Sequence, residues 1–224
     1  QNYETKKYLR SLGAKKIKFI GNLKFSESKT EKKYNFNSNL KKIFKSKKIW
    51  CAASTHNTEE RICATVHKKL KNKYKNLLTI IIPRHTQRAD KITNEIRDMG
   101  LKVQAHSSSN KTNNNTEIYL VDTFGETKSF FKICKTVFLG GSIINHGGQN
   151  PLEPVRFGCR ILHGPNIQNF AEVYNLLEKN NLSHKFYNSN QLAKLVDKSF
   201  GKNMNTINKI RKIKKTGSNI LNNT

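Results

Sequence analysis

The chain has 224 residues, of which 35% are hydrophobic and 25% charged. That is enough apolar sequence for one large domain or two small ones, and apolar segments break up the charge throughout, which excludes wholesale disorder. Lys and Arg number 42 against 15 Asp and Glu, a formal charge of +27, so the expected partner is anionic: nucleic acid, an anionic membrane surface or a phosphorylated substrate.

No apolar run approaches the roughly 18 residues of a membrane span, and no secretory signal pattern is visible in these residues. The pattern is already under way at Gln1, so the reading expects a piece of a longer protein. Residues 1–25 read as the tail of a preceding domain, with a helix in YETKKYLRSLGA and a strand and turn in KIKFIGNLKF. Residues 26–47, rich in Lys, Ser and Asn, read as a linker.

From residue 48 the pattern alternates. KIWCAAS (48–54) is a short apolar strand. EERICATVHKKLKNK (59–73) has Ile62, Val66 and Leu70 at helical spacing. LLTIIIPR (77–84) is a continuous β-branched run, the mark of a buried parallel strand. A helix at 88–100 stops at Gly100, a strand covers 101–107, and a polar loop covers 108–116. Strands follow at 117–123, 136–142, 160–165 and 185–189, with helices at 126–134, 151–158, 169–181 and 190–200 and a last basic helix from about Met204 to Leu221. This alternation predicts an α/β fold, a doubly wound parallel sheet over 48–200, with 201–224 as a basic C-terminal helix. Cys51, Cys63, Cys134 and Cys159 form no CxxC pair and read as buried, reduced thiols.

In an open parallel sheet, ligands bind beyond the carboxyl ends of the strands. Reactive or small residues gather at those ends. Thr55 and His56 follow the first strand, where Ser54 and Thr55 also read as helix caps. Pro83, Arg84 and His85 follow the second. A guanidinium there has a fixed stem and a fork that suits phosphate; the alternative is an ion pair with Asp122 or Glu126. Arg88, one turn later, reads as solvated. Asp122, Gly125 and Glu126 follow the fourth strand. Gly140, Gly141 and Ser142 follow the fifth, then Gly147-Gly148, Asn150 and Glu153 at a helix start. Glycines let a ligand approach the backbone, and a helix N-terminus offers free N–H groups, so these residues predict an anion or nucleotide cradle. It is neither a Walker A loop nor GxGxxG. Glu153 suits ribose hydroxyls. No metal-ligand spacing appears among His56, His85, His146, Asp122 and Glu126.

Ala53-Ser54-Thr55-His56 with Glu59-Glu60, Ile82-Pro83-Arg84-His85 with Arg88, Asp122-Thr123 with Gly125-Glu126, and Phe138-Leu139-Gly140-Gly141-Ser142 with Gly147-Gly148, Asn150 and Leu152-Glu153-Pro154 together resemble the 3-deoxy-D-manno-octulosonic acid (Kdo) transferases of lipopolysaccharide synthesis. Gly21-Asn22-Leu23-Lys24-Phe25 and Gly164-Pro165 with Asn169-Phe170 fit as well, so the resemblance runs in order over residues 10 to 200. Two positions depart: Thr58 stands where Gly commonly precedes Glu-Glu, and Gln149 where His is frequent.

The resemblance implies the C-terminal, Rossmann-like half of a GT-B glycosyltransferase that binds CMP-Kdo and transfers Kdo, with inversion, to a lipid A precursor (lipid IVA). It implies no metal or other cofactor and no nucleic-acid partner. It places the work at an anionic membrane surface, the cytoplasmic face of the inner membrane of a Gram-negative bacterium. Arg84 and the Gly140–Ser142 loop would take the CMP phosphate region, Asn150 and Glu153 phosphate and ribose. Pro83 with Thr55 and His56 would line the pocket, and Asp122 to Glu126 would lie near the cytosine or shape the rim. The family's catalytic base is a carboxylate near the start of the N-terminal domain, so this stretch is expected to bind donor without turning it over alone. The alternatives are a GT-B enzyme using a UDP-sugar, and a basic nucleic-acid or membrane-surface binder, although no RNP-type aromatic strands appear.

Overall fold

The computed structural model describes residues 3–17, 35–111 and 114–201. The chain divides into two units, Gln1–Glu31 with Asn205–Thr224, and Lys32–Met204. In the first, the described element is α1 (Tyr3–Ser11), the helix expected there. The strand and turn expected up to Phe25 and the basic helix from Met204 to Leu221 lie, apart from residues 16 and 17, outside the described residues.

The second unit opens with α2 (Ser38–Ser46) and β1 (Lys48–Thr55), then α3 (Glu59–Leu70), β2 (Leu77–Pro83), α4 (Ala89–Asp98), β3 (Val103–Ala105) and β4 (Ile118–Leu120). It continues with α5 (Thr127–Ile133), β5 (Thr136–Leu139), α6 (Leu152–Arg156), β6 (Arg160–His163), α7 (Ala171–Lys179), β7 (Ser183–Lys185) and α8 (Ser189–Phe200). The strands pair in parallel in the order β3-β4-β2-β1-β5-β6-β7. The chain winds one way from β1 to β2 and the other way from β5 to β6 and β7. The winding therefore reverses between β1 and β5, as expected of a doubly wound sheet.

β2 is buried at every position, as its unbroken β-branched run requires in a sheet covered on both faces. On one face Trp50 and Ala52 of β1 join Cys63, Val66 and Leu70 of α3, Ile92 and Ile96 of α4, and Leu192 and Val196 of α8. On the opposite face, an aromatic cluster around Tyr119 joins α2 to α5. Phe36 meets Phe130 with ring centroids 5.0 Å apart, and Phe44 meets Tyr119 of β4 at 5.4 Å, both edge-on. All four cysteines are buried and free.

Two expectations change. Residues 35–47 are part of the domain rather than linker. Asn37 Oδ1 accepts the Leu40 N–H at 2.8 Å and starts α2, which buries Leu40, Ile43 and Phe44, an i, i+3, i+4 face. The seventh strand lies at Ser183–Lys185 rather than 185–189, with the Phe186 N–H still donating to the His163 carbonyl at 2.9 Å. Phe186 packs into the core just past that strand, which is why the aromatic pair drew the expectation forward.

Candidate functional site

The strand order sets the loops after β4, β2, β1 and β5 side by side on one rim. β1 ends in a bulge at Ser54, which adopts a left-handed φ of 55°, and Thr55 then pairs with Pro83 at the end of β2. The Arg84 N–H donates to the Thr55 carbonyl at 2.9 Å, tying the two loops together. Ser54 and Thr55 do not cap α3. The cap position is Thr58, held at φ 77° with no side-chain capping bond. A left-handed backbone there is one that glycine takes without strain and threonine does not.

The organising residue at the switch point is Glu59. Its buried carboxylate accepts the N–H groups of His56 at 2.9 Å, Gly141 at 2.8 Å and Ile143 at 3.1 Å. It joins the start of α3 to the loop after β5. Burial pushes its carboxyl up, and the three N–H donors oppose that rise. Gly140 has no room for a side chain: a Cβ would lie 2.4 Å from the Ser54 carbonyl oxygen and 2.6 Å from Glu59 Oε2.

The glycines thus bring loop against loop, not loop against ligand. The Gly140 N–H donates to the Ala53 carbonyl, that of Gly141 to Glu59 and that of Gly148 to the Gly141 carbonyl. Their N–H groups are therefore not the anion cradle expected from the sequence. Ser142 is likewise buried in the framework, its hydroxyl donating to the Leu139 carbonyl at 2.5 Å and accepting the Gly164 N–H at 2.9 Å. Asn150 Oδ1 accepts the Leu152 N–H at 3.1 Å and so shapes the start of α6, a helix of only five residues. Glu153 lies half-buried in its first turn.

Asp122 and Glu126 do not pair with Arg84. Asp122 accepts from the Ser107 N–H at 2.8 Å and its hydroxyl at 2.5 Å. Glu126 meets His106 Nε2 at 2.6 Å and accepts the Thr123 hydroxyl at 2.8 Å, with Gly125 turning the chain between at φ 85°. The exposed Arg84 guanidinium has no ion pair among the described residues. Arg88, expected to be solvated, instead forks onto the buried Glu60 carboxylate at 2.9 and 3.1 Å.

Around Arg84 the rim is cationic and imidazole-rich. The His56 ring lies 4.3 Å from that of His146 and 6.0 Å from that of His85. Burial, then His146, His85, Arg88 and Arg84, lower the His56 pKa to about 4, so it is neutral near pH 7. His56 Nε2 and the Thr55 hydroxyl are buried with no hydrogen-bond partner among the described residues. Buried polar atoms without partners are uncommon and mark places where a ligand completes the bonding. Among the described residues, no three His, Cys, Asp or Glu side chains are grouped to hold a metal ion.

No family model matches the chain. It is 33% identical over 163 residues to the 3-deoxy-D-manno-octulosonic acid transferase of Haemophilus influenzae, covering 72% of this chain and 38% of that protein. Against the enzyme of the same name from Aquifex aeolicus it is 30% identical, covering 82% of this chain and 48% of that one. The chain is a relative of the Kdo transferases. It spans less than half the length of these two curated relatives. In fold it matches the C-terminal CMP-Kdo binding domain of WaaA from Acinetobacter baumannii, with a TM-score of 0.70 at 22% identity over 82% of this chain and 93% of that one. The Rossmann-like, doubly wound sheet shares the fold of that C-terminal domain, as the family resemblance implied.

Two features of this rim escaped the sequence reading. Glu59 and Glu60 lie in the first turn of a helix, where carboxylates are ordinary, and nothing local gives their partners, the Gly141 and Ile143 N–H groups and Arg88. His146 lies far from His56 in the sequence, and only the strand order brings their rings together.

Proposed function

We propose that this chain forms the donor site of a Kdo transferase, binding CMP-Kdo at the switch point between β1 and β5. The carrying observation is the convergence of an unpaired Arg84 with two buried, unpartnered polar atoms, the Thr55 hydroxyl and His56 Nε2. In this reading the Arg84 guanidinium takes the CMP phosphate, Thr55 and His56 complete their bonding on the donor, and Pro83 lines the pocket. Glu153 accepts from ribose hydroxyls, and Asp122 to Glu126 shape the rim at the base. The Gly140–Ser142 loop and Asn150 act by shape, held in place by Glu59 and Ser142.

The bond from the anomeric carbon to the phosphate oxygen breaks, and its electron pair leaves with CMP. Arg84 stabilises that charge as it develops. The acceptor hydroxyl of a lipid A precursor, lipid IVA, gives its proton to the carboxylate base expected in the N-terminal domain and attacks from the opposite face, which inverts the anomeric centre. Such an acceptor places the reaction at the cytoplasmic face of a bacterial inner membrane, where a +27 chain meets anionic lipid. Among the described residues no helix is long and apolar enough to cross a membrane.

Calorimetric titration tests the reading. CMP binds more tightly than UDP, and Arg84→Ala weakens CMP by about tenfold or more, the scale of a charge-assisted phosphate contact. The variant melts with the wild type, because Arg84 holds no ion pair among the described residues. Tighter binding of UDP assigns the site to a UDP-sugar instead.

A further inference from the structure

A second site lies at the other end of the sheet. A cavity of about 580 Å³ opens at the amino ends of β1 and β5, lined by Lys48 and Thr136, the first residues of those strands. The candidate donor site begins at Thr55, the far end of β1, about 23 Å away along an eight-residue strand. A volume of this size is that of a small-molecule pocket rather than a packing fault.

The lining is amphiphilic. Lys48 and Lys135 supply the charge, and among the described residues no Asp or Glu lines the cavity. Lys135 is exposed, with no ion pair among the described residues. Lys48 Nζ sits 4.8 Å above the Tyr74 ring and 5.5 Å above that of Phe200, whereas Lys47 Nζ turns away to the Asn114 carbonyl, on the side of Glu117. Phe44, Ile49 and Ile133 give the walls their apolar part. Thr136 is 1% exposed, and its hydroxyl has no hydrogen-bond partner. The exposed large apolar side chains among the described residues, such as Phe124 and Tyr187, are not in this lining. The face thus lacks the exposed stacking platform of a single-strand nucleic-acid site.

We propose that this cavity binds an anionic amphiphile, a phosphate head held by Lys48 and Lys135 with its apolar chain against Phe44, Ile49 and Ile133. The inference stands apart from the donor reading, because the two sites share no residue. The head group is either that of a bilayer lipid or that of a free amphiphile.

The test uses the whole chain and dodecyl phosphate below its micellar concentration. Binding is expected to be saturable and not matched by the uncharged dodecyl maltoside or by inorganic phosphate. Lys135→Glu, at an exposed position with no partner to lose, and the pair Lys48→Ala with Lys135→Ala each weaken it about tenfold or more. The melting curve of Lys135→Glu and the CMP titrations of all these variants stay unchanged, so failure here and failure of the donor reading are separable. Sedimentation with phosphatidylglycerol vesicles, lost in the same variants, assigns the head group to a bilayer; binding of the monomer alone assigns it to a free amphiphile. Equal binding of the charged and uncharged detergents, or wild-type affinity in both lysine variants, overturns the proposal. So does an RNA oligonucleotide that displaces dodecyl phosphate and loses its own binding in the variants.

Discussion

Thr58 holds an exposed, β-branched residue in a left-handed backbone at the start of α3, with no capping bond in return. For such a residue the conformation costs about 1–2 kcal/mol, which glycine does not incur. Glycine brings extra freedom to the unfolded chain, which offsets part of that gain. Thr58→Gly is therefore expected to stabilise the domain by about 1 kcal/mol, read as a higher urea midpoint with an unchanged slope. An unchanged or lower midpoint would mean that the turn accommodates threonine without strain. The position was legible in the sequence, because the family resemblance puts glycine there. Its neighbour Glu59 was not. A carboxylate in the first turn of a helix is ordinary, and nothing local says that it will accept N–H groups from Gly141 and Ile143. The same holds for Arg88. Its spacing from Arg84 gives the turn but not the buried Glu60 beneath it.

Elements were more legible than contacts, because each strand–helix pair carries its own periodicity. β2 announced itself through its continuous β-branched run, and α3 through Ile62, Val66 and Leu70 at helical spacing. α2 was hidden because Lys41, Lys42 and Lys45 surround its three buried side chains, so composition masked the spacing. β7 was displaced because a three-residue edge strand of Ser, His and Lys has no apolar signal. The junction of α3 with β2 adds a polar contact inside this packing. His67, 1% exposed, shares a 2.9 Å hydrogen bond between Nδ1 and the Thr79 hydroxyl. Burial lowers its pKa to about 4, against a favourable Glu117 and unfavourable Lys71 and Lys47. The unfolded chain takes the proton first as pH falls through about 6.5, so the stabilisation present above that value is lost progressively toward pH 4. The shift is worth up to about 3 kcal/mol. His67→Asn is expected to flatten the fall in unfolding free energy between those pH values by that order, measured by urea titration at each pH. An acid limb as steep as that of the wild type would show that His67 is not the group that titrates.

Over the whole molecule, 42 cationic side chains face 15 carboxylates, so most cations have no carboxylate to pair with. Pairs such as Lys71–Glu117 and Lys73–Asp197 are partly exposed and contribute little each. Repulsion among the remaining charges opposes the compact state, and it acts over a longer range than the pairs do. The two effects respond oppositely to salt. Raising sodium chloride from about 0.01 M to about 0.15 M shortens the screening length from about 30 Å to about 8 Å. That span weakens repulsion across the domain more than it weakens contacts at 2.7 to 2.9 Å. The melting temperature of the chain is therefore expected to rise over this range and then level off. Scanning calorimetry at matched pH reads this directly. A melting temperature that falls with salt would mean that attraction outweighs repulsion, and that the excess of lysine is arranged so that it costs the fold nothing.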